Sequence, residues 1–312
     1  MKKALLIIGG LFLALLIAVG IYAWYLYDSV ADTAENINEG NDRQSNLREA
    51  DVDMDASEPI SILLMGVDAR NGSTSGRTDT MIVATVNPET ESTKMVSIPR
   101  DTYTEMIGRG DEGKDKITHA NAFGGADMAM NTVENFLNVP IDYYATINFE
   151  GFEDMVDAVG GITVNNTFAF SDNGYDFPEG EIEMDGEKAL TYVRMRKEDP
   201  RGDLGRNERQ RQVLEAIANK GQSVTSITRI GDYLDVVEEN VRTNMTFDDM
   251  KDLRSNYFSA RNDIENISFE NGQDRTIDGI YYMEQDPAEV QEISNTLREH
   301  LELENGEEAP AE

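Results

Sequence analysis

Residues 60–101 read "ISILLMGVDARNGSTSGRTDTMIVATVNPETESTKMVSIPRD" and contain three short apolar runs separated by polar segments. The runs lie at 60–68, 80–88 and 93–101, and each has the length and composition of a buried β-strand. An Asn-Pro turn follows the second run, so the second and third strands are expected to form a hairpin. This stretch therefore predicts a β-sheet at the start of a folded domain.

The sequence that follows alternates between helical and extended patterns. Periodicity predicts helices at 126–138, 152–161 and 206–221 and strands at 142–148 and 162–166. The segment 185–196 begins with a helical pattern and ends with an extended one. Later patterns predict helices near 223–240 and 246–259, a hairpin within 267–283, and a helix after Pro287. Because no linker interrupts this alternation, residues 59–302 are predicted to form one α/β domain.

The N-terminal residues predict a membrane anchor. Residues 4–27 carry no charge and are long enough to span a bilayer as a helix. Lysines at 2 and 3 precede this run and aspartates at 28 and 32 follow it, which places residues 1–3 in the cytoplasm. Cleavage after the small residues at 29–31 is an alternative, although a cleaved signal usually has a shorter apolar region. The pattern favours a single-pass type II protein of the cell membrane with an extracytoplasmic domain.

Two acidic segments flank the predicted domain. Residues 28–58 have few large apolar side chains, so they are expected to form a tether or a loose helix. Residues 303–312 are expected to form a disordered acidic tail.

The overall composition excludes several classes of function. The formal net charge is -33 and the isoelectric point is about 4.2, which argues against nucleic acid as a partner. The chain has no cysteine, so it has neither disulfides nor thiolate metal sites. Acidity of this extent is more typical of adaptation to salt or alkali than of one specific ligand.

One segment departs from this acidity. Residues 192–212 hold 7 Lys or Arg against 4 Asp or Glu, a local balance of 7 − 4 = +3. On an extended segment Arg194 and Arg196 project to the same face. On the following helix Arg206, Arg209 and Gln210 share one side. Arg206 also lies near the helix N-terminus, where backbone N–H groups favour an anion. These residues predict a socket for a diphosphate, because the guanidinium fork matches phosphate oxygens.

Asp68 and Asp79 lie at the ends of neighbouring predicted strands, on either side of a Gly/Ser-rich loop. A pyrophosphate usually brings Mg²⁺, a hard cation that takes oxygen ligands and few protein carboxylates. The two aspartates are therefore candidate ligands for Mg²⁺, or for Mn²⁺ in its place.

Structural roles compete with these assignments. Asp79 also suits a turn cap and Asp68 a hydrogen bond to the loop, while His119 has no nucleophile motif around it and is interpreted as structural. For three other basic residues a solvated surface network is favoured: Lys197, Arg201 and Arg211.

The motifs together resemble the LytR-CpsA-Psr family of cell-wall enzymes. They occur in order over residues 60–220 as "GVDAR", "GRTDTMIVATVNP", "MVSIPRDT", "KITHANAFGG", "VDAVGGITV", "LTYVRMRKED" and "GDLGRNERQRQ". The chain most resembles the members that attach teichoic acids in Gram-positive bacteria. The resemblance implies a three-layer α/β domain, with a central mixed sheet flanked by helices, behind an N-terminal transmembrane helix.

The resemblance also implies an activity. Such proteins move an anionic glycopolymer, teichoic acid or similar, from a polyprenyl-pyrophosphate carrier in the cytoplasmic membrane to a muramic acid hydroxyl of peptidoglycan. The lipid chain is expected in an apolar tunnel near the helices at 126–138 and 152–159.

Carried over by motif, the resemblance implies roles for individual residues. Asp68 and Asp79 would be the Mg²⁺ ligands. Asp101 and Asp203 are the candidate general bases, because each adjoins the arginines. The pyrophosphate would bind Arg100, Arg194, Arg196, Arg206 and Gln210, with Arg77, Asp203 and Arg209 in support.

Two other functions stay open on the sequence. A polyprenyl-pyrophosphate phosphatase would use water at the same site in place of the sugar hydroxyl. A lipid- or polymer-binding regulator of wall assembly would use the arginines but gives no reason for the paired aspartates, so magnesium dependence separates it from both enzymes.

Overall fold

The structure is a computed structural model, and it describes residues 25–40, 43–48, 50–69, 73–110, 113–196, 198–221 and 230–304. The side chains of residues 203, 204, 218, 221, 230 and 232 are outside this description. Within the described residues no helix is both long enough and apolar enough to cross a bilayer. The predicted span at 4–27 lies outside the described residues except for its last three.

A mixed sheet forms the centre of the domain. Six strands of the described chain compose it: β1 (Ile60–Val67), β2 (Thr78–Asn87), β3 (Ser92–Ser97), β6 (Tyr143–Asn148), β11 (Val241–Thr243) and β12 (Asp263–Ser268). They lie in the order β11-β6-β1-β2-β3-β12. β1 pairs with β6 and β3 with β12 in parallel, whereas β1–β2, β2–β3 and β6–β11 are antiparallel. The expected mixed sheet is confirmed.

Helices cover both faces of this sheet. They are α1 (residues 25–37), α2 (Ala120–Leu137), α3 (Phe149–Ala158), α4 (Gly186–Arg194), α5 (Asp203–Gly221), α6 (Ile230–Asn240), α7 (Phe247–Asn256) and α8 (Pro287–His300). Successive side chains of β1 point to opposite faces, so Leu63 and Met65 join one core with α2 and α8. Leu64 lies on the other face, beside Leu214 of α5. The result is the three-layer arrangement that the family resemblance implied.

Short two-stranded sheets surround the central one. They are β4 (Tyr103–Glu105) with β5 (Lys114–Lys116), β7 (Ile162–Asn166) with β10 (Gly180–Met184), β8 (Phe170–Asp172) with β9 (Tyr175–Phe177), and β13 (Gln273–Ile277) with β14 (Ile280–Glu284). The predicted hairpin within 267–283 is β13–β14, whose turn places Asp278 and Gly279 at positive φ. Positive φ at both central residues matches the right-handed twist of the two strands.

Most predicted elements are confirmed, with shifted boundaries. The third apolar run ends at Ser97 instead of residue 101, because Pro99 has no N–H for the ladder and accepts a turn hydrogen bond from Thr102 at 3.0 Å. α2 begins before 126 and breaks at Gly124 and Gly125, which have non-helical angles. The capping pair at Thr246 and the Pro287 helix start are as predicted.

The segment at 28–58 differs from the expected tether. Ile37 and Met54 are buried, and Asn38 bridges to β11. Arg48 forms a two-pronged pair with Asp142, at 2.7 and 2.9 Å. The sequence pattern missed this because the apolar residues are widely spaced and the contacts are with distant parts of the chain. At the other end Leu303 packs against the core, and residues 305–312 of the predicted tail lie outside the described residues.

Candidate active site

A β-bulge at the end of β1–β2 sets the direction of Asp79. Gly66 pairs with Thr80, but the next residue of β1, Val67, pairs with Thr78. Asp79 is therefore the extra residue of the bulge, which turns its side chain out of the regular alternation. It accepts a hydrogen bond from Arg100 Nη1 at 2.9 Å. This places the carboxylate in a polar pocket at the edge of the sheet.

That pocket has a volume of about 350 Å³. We call it the basic pocket, because four arginines and a glutamine line it together with three carboxylates. Its lining residues are Asp79, Arg100, Asp172, Val193, Arg194, Met195, Arg196, Glu198, Arg206 and Gln210. The structure thus brings together all five residues predicted to bind pyrophosphate and one of the two predicted metal ligands.

Arg194 and Arg196 reach the pocket by a different route from the one predicted. Arg194 is the last residue of α4 and does not lie on a strand. The prediction was wrong because Asp185 caps the helix and its amphipathic pattern continues to residue 194. Met195 then turns extended and is buried, so the side chains on either side of it both face the pocket. The Arg194 guanidinium lies 4.5 Å from the centroid of the Phe149 ring.

α5 supplies Arg206 and Gln210, one turn apart. Both are nearly buried, with 5% and 8% of their surface exposed. Arg206 is in the first helical turn, where the positive end of the helix dipole adds to the guanidinium charge. The guanidinium charge of Arg206 and the helix dipole therefore both favour an anion in this part of the pocket.

Arg209 is also buried, but it points away from the pocket. It donates to the backbone oxygen of Tyr192 at 3.1 Å, to the backbone oxygen of Met195 and to the carboxylate of Asp199. Asp199 in turn accepts from the backbone N–H of Arg201 at 2.8 Å. These contacts hold the segment that carries Arg194 and Arg196, and Arg209 itself does not line the basic pocket; its supporting role toward the pyrophosphate stays a prediction.

Gly205 makes the Asp199–Arg209 contact sterically feasible. A Cβ atom at Gly205 would lie 1.8 Å from Asp199 Oδ2. No side chain larger than hydrogen fits there while Asp199 keeps its place. Packing against the buried Asp199 carboxylate thus explains the second glycine of the "GDLGR" motif.

Of the two candidate general bases, Asp101 does not line the basic pocket. Asp101 is buried and accepts from Lys116 Nζ at 2.6 Å, with Arg100 Nε at 3.6 Å. Two cations therefore already compensate its charge. Asp203 begins α5, but its side chain lies outside the described residues.

The loop between β1 and β2 carries the remaining predicted residues. Asp68 and Arg77 are exposed, and the backbone N–H of Asp68 donates to the oxygen of Arg77 at 2.9 Å. Asn121 fixes this loop by donating to the oxygens of Thr74 and Gly76, at 3.1 and 2.9 Å. Neither Asp68 nor Arg77 lines the basic pocket as the structure defines it.

A second, apolar cavity of about 240 Å³ adjoins the basic pocket. It lies between β6-β1-β2 and helices α3, α4 and α5, with Ile82, Phe152 and Leu190 among its walls. The two cavities share four lining residues: Asp79, Val193, Arg194 and Gln210. The apolar cavity therefore lies beside α3, one of the two helices near which an apolar tunnel was expected. The helix at 126–138 does not contribute, because α2 packs on the opposite face of the sheet.

Sequence reasoning missed two acidic residues of the pocket and misjudged one arginine. Asp172 comes from β8 and Glu198 from the loop after α4, and neither belongs to an apparent pattern. Arg211 was assigned to the surface, but it is buried and donates to Ser97 Oγ at 2.9 Å. Burial lowers the pKa of its guanidinium. Arg201 does lie at the surface, paired with Glu208, while Lys197 is outside the described residues.

His119 has a structural environment. Its Nδ1 lies 3.0 Å from Asp115 Oδ2, and its ring packs edge-on against Phe123. These contacts agree with the interpretation that it is not a catalytic residue.

Comparison with known proteins gives consistent matches. The model of the LytR_cpsA_psr family matches residues 23–299. A protein of Bacillus subtilis named polyisoprenyl-teichoic acid--peptidoglycan teichoic acid transferase TagU is 50% identical over 301 residues, covering 96% of this chain and 97% of the relative. A protein of the same name from Halalkalibacterium halodurans is 49% identical over 306 residues, with coverage of 97% and 100%.

Solved structures match over most of the chain as well. The crystal structure of B. subtilis TagU is 51% identical, with a TM-score of 0.63, and covers 78% of this chain and 97% of its own. A structure titled "TagT bound to LIIa-WTA" is 31% identical, with a TM-score of 0.70 and coverage of 86% and 100%.

Proposed function

Because this chain belongs to the LytR_cpsA_psr family, we propose that it is a transferase that attaches teichoic acid, or a similar anionic glycopolymer, to peptidoglycan. The observation that carries the proposal is the junction of the basic pocket with the apolar cavity. A polyprenyl-pyrophosphate carrier has a charged head directly attached to an apolar chain. A site that joins the same two environments fits that kind of molecule.

The pyrophosphate would lie among the arginines of the basic pocket. Arg194 and Arg196 approach from the end of α4, Arg206 and Gln210 from the first turns of α5, and Arg100 from the turn after β3. Their guanidinium groups donate to phosphate oxygens in pairs, which fixes orientation as well as charge. The first isoprene units would then enter the apolar cavity.

The transfer step forms one bond and breaks one. The muramic acid hydroxyl oxygen attacks the phosphorus that carries the glycopolymer, and its proton passes to a base. The bond from that phosphorus to the bridging oxygen breaks, so polyprenyl phosphate leaves with the negative charge. The arginines stabilise this charge as it develops, which is the main contribution a protein makes to phosphoryl transfer. Asp101 and Asp203 stay as predictions for the base.

The residues present fit a divalent cation held jointly with substrate. No cluster of three or more acidic or histidine side chains that would hold a metal occurs among the described residues. Mg²⁺ commonly binds one or two carboxylates together with phosphate oxygens. Asp79 faces the basic pocket, and Asp68 lies on the adjoining strand end. When bound there, the ion would neutralise charge on the phosphoryl oxygens.

The proposed location is the outer face of the cytoplasmic membrane, with the anchor at 4–27. Two observations support it. The apolar N-terminal run has the length of a bilayer span. Helix α1 contains the last three residues of that run and packs on the domain, with Tyr27 against Phe247 at a centroid distance of 5.3 Å.

The test uses the full-length protein in detergent or nanodiscs, a polyprenyl-pyrophosphate-linked saccharide, and peptidoglycan oligomers, with and without Mg²⁺. Mass spectrometry should detect a saccharide–phosphate–muramic acid adduct. Arg194→Ala should abolish the adduct, whereas Arg254→Ala, an exposed arginine on α7, should not change its yield. Release of saccharide phosphate without an adduct would contradict the transferase and indicate a phosphatase. Binding without turnover under any metal would indicate a binding protein.

A further inference from the structure

The β13–β14 hairpin adjoins the rim of the basic pocket. The backbone N–H of Met283 donates to the oxygen of Asp101 at 2.8 Å, and Met283 forms a bridge with Thr102. Gln285 Nε2 donates to Thr102 Oγ1 at 3.1 Å. The hairpin is therefore attached to the residues that directly follow Arg100, one of the arginines of the pocket.

A group of tyrosines lies at this junction. The rings of Tyr103 and Tyr282 pack at a centroid distance of 4.7 Å. Lys116 Nζ, which pairs with Asp101, lies 5.8 Å from the ring centroids of both Tyr281 and Tyr282. A continuous set of contacts thus runs from the pocket through Asp101 and Lys116 to the face of Tyr281.

The outer part of this hairpin is apolar and exposed. Tyr281 has 40% of its surface exposed. Ile280, the preceding residue of β14, has 50% exposed and projects to the opposite face of the hairpin. The Tyr281 hydroxyl donates to Asp274 Oδ1 at 2.7 Å, which fixes the ring on the hairpin. A fixed aromatic ring costs little entropy when it binds a partner.

The charges on the hairpin select between the two substrates. Asp274, Asp278 and Glu284 lie on it with Arg275, and Arg275 pairs with Glu284. An anionic glycopolymer would be repelled by the surplus of carboxylates. The glycan backbone of peptidoglycan is uncharged, and each pyranose ring has an apolar C–H face that packs on an aromatic ring while its hydroxyls stay in water.

We propose that Tyr281, supported by Lys116, forms the subsite that binds the glycan strand of the peptidoglycan acceptor next to the transfer pocket. This inference rests on the proposed function. It gives the C-terminal part of the chain, which shares few of the recognisable motifs, a specific role: to present the acceptor hydroxyl to the donor held by the arginines.

The test compares Tyr281→Ala with Phe258→Ala in the full-length protein. Phe258 has a similar exposure of 44%, but it precedes β12, whose first residue pairs with the start of β3 at the opposite end of the sheet. For Tyr281→Ala we expect the KM for peptidoglycan oligomers to rise about tenfold, the effect of losing one stacking contact, with kcat and donor KM unchanged. Tyr281→Phe should keep the wild-type KM, and so should Phe258→Ala.

A second measurement separates this inference from the proposed function. Binding of glycan oligomers from peptidoglycan, with their lactyl carboxyl groups amidated so that the oligomers are uncharged, is measured without any donor from the NMR chemical shifts of the oligomers. Loss of binding in Tyr281→Ala alone would support the subsite even if no transfer were detected. Wild-type transfer with an unchanged acceptor KM in both alanine variants would overturn the subsite and leave the transferase in place. Equal losses in the Tyr281 and Phe258 variants would also overturn it.

Discussion

Arg100 and Asp79 form an ion pair inside the basic pocket, with Nη1 and Oδ1 2.9 Å apart. Arg100 comes from the turn after β3 and Asp79 from the bulge in β2, so two backbone irregularities bring the pair together. The negative charge of Asp79, a candidate cation ligand, is thus already balanced by Arg100, a candidate phosphate ligand. When substrate binds, Asp79 can pair with the cation and Arg100 with phosphate, so neither charge is left uncompensated.

This arrangement predicts a metal-linked loss for Asp79→Asn. The amide keeps the size of the side chain but removes its charge, so transfer should fall about a hundredfold or more. The dependence of the rate on Mg²⁺ concentration should weaken at the same time. Steady-state rates measured over a Mg²⁺ titration check both effects. Asp263→Asn, an exposed aspartate at the start of β12 that pairs with the start of β3, is the control for charge removal, and an unaltered Mg²⁺ profile in Asp79→Asn would rule out Asp79 as a ligand.

Gly205→Ala should destabilise the protein because the new Cβ would collide with the Asp199 carboxylate. We expect the free energy of unfolding to fall by about 1–3 kcal/mol, in the range of overpacked sites. The matched control is Gly231→Ala in α6, where nothing lies within 4 Å of the added atom. There the gain in helix propensity should raise stability by up to about 1 kcal/mol. Urea unfolding followed by circular dichroism measures both; equal stabilities would show that Asp199 has room to move.

The pair Arg48–Asp142 should matter more than an exposed pair of similar geometry. Removing Arg48 leaves the nearly buried Asp142 carboxylate with Ser61 as its remaining described side-chain partner. Arg48→Ala is therefore expected to cost about 2–3 kcal/mol. Arg275→Ala removes an exposed two-pronged pair with Glu284 and should cost less than about 0.5 kcal/mol. If the two variants unfold at the same urea concentration, residues 28–58 contribute no stability through this contact.

His300 should make stability fall at acid pH. Its ring contacts Thr85 Oγ1 at 2.7 Å and Ser92 Oγ at 2.9 Å, and burial, followed by the charge of Lys94, lowers its pKa. Since the folded pKa is below the unfolded value of about 6.5, the contribution is complete above pH 6.5 and is lost as pH falls through the folded pKa. The slope from this one group is at most about 1.4 kcal/mol per pH unit.

Unfolding free energies measured between pH 7.5 and 5 check this prediction. His300→Gln should reduce the slope over that interval, because its side chain does not titrate. A His300→Gln variant with the wild-type slope would assign the pH dependence to other groups.

The sequence predicted the elements better than their side-chain environments. Continuous apolar runs such as 60–68 and 80–88 are visible without a structure, because a buried strand needs apolar residues on both faces. The bulge at Asp79 is not visible, since a one-residue shift in register leaves the composition unchanged. Nor does a sequence distinguish Arg209 and Arg211, which are buried, from Arg201 at the surface.

Long-range contacts explain most of the remaining differences. Asp172 reaches the pocket from a hairpin whose position depends on how β8–β9 packs, and no local pattern encodes that. The segment at 28–58 is polar by composition, yet two of its residues contact distant parts of the chain. Arg48 pairs with Asp142, 94 residues later, and the backbone oxygen of Met54 accepts from Asn256, 202 residues later. Composition predicted a tether or a loose helix; the structure has helix α1 at residues 25–37, and specific pairs attach the segment to the domain.

The interleaving of the chain's two ends has a consequence for the order of folding. The segment before β1 packs against β6 and β11, while α8 contacts β2 and His300 reaches Thr85. Elements that are packed together are thus far apart along the chain. Contacts between residues so distant in sequence slow folding, because a long loop must close before they form. A chain stopped before β12 would expose the edge of β3 and one face of the sheet. The residues that line the basic pocket precede β12, but a chain that ends before β12 is expected to be prone to aggregation, because its exposed strand edge can pair with another chain.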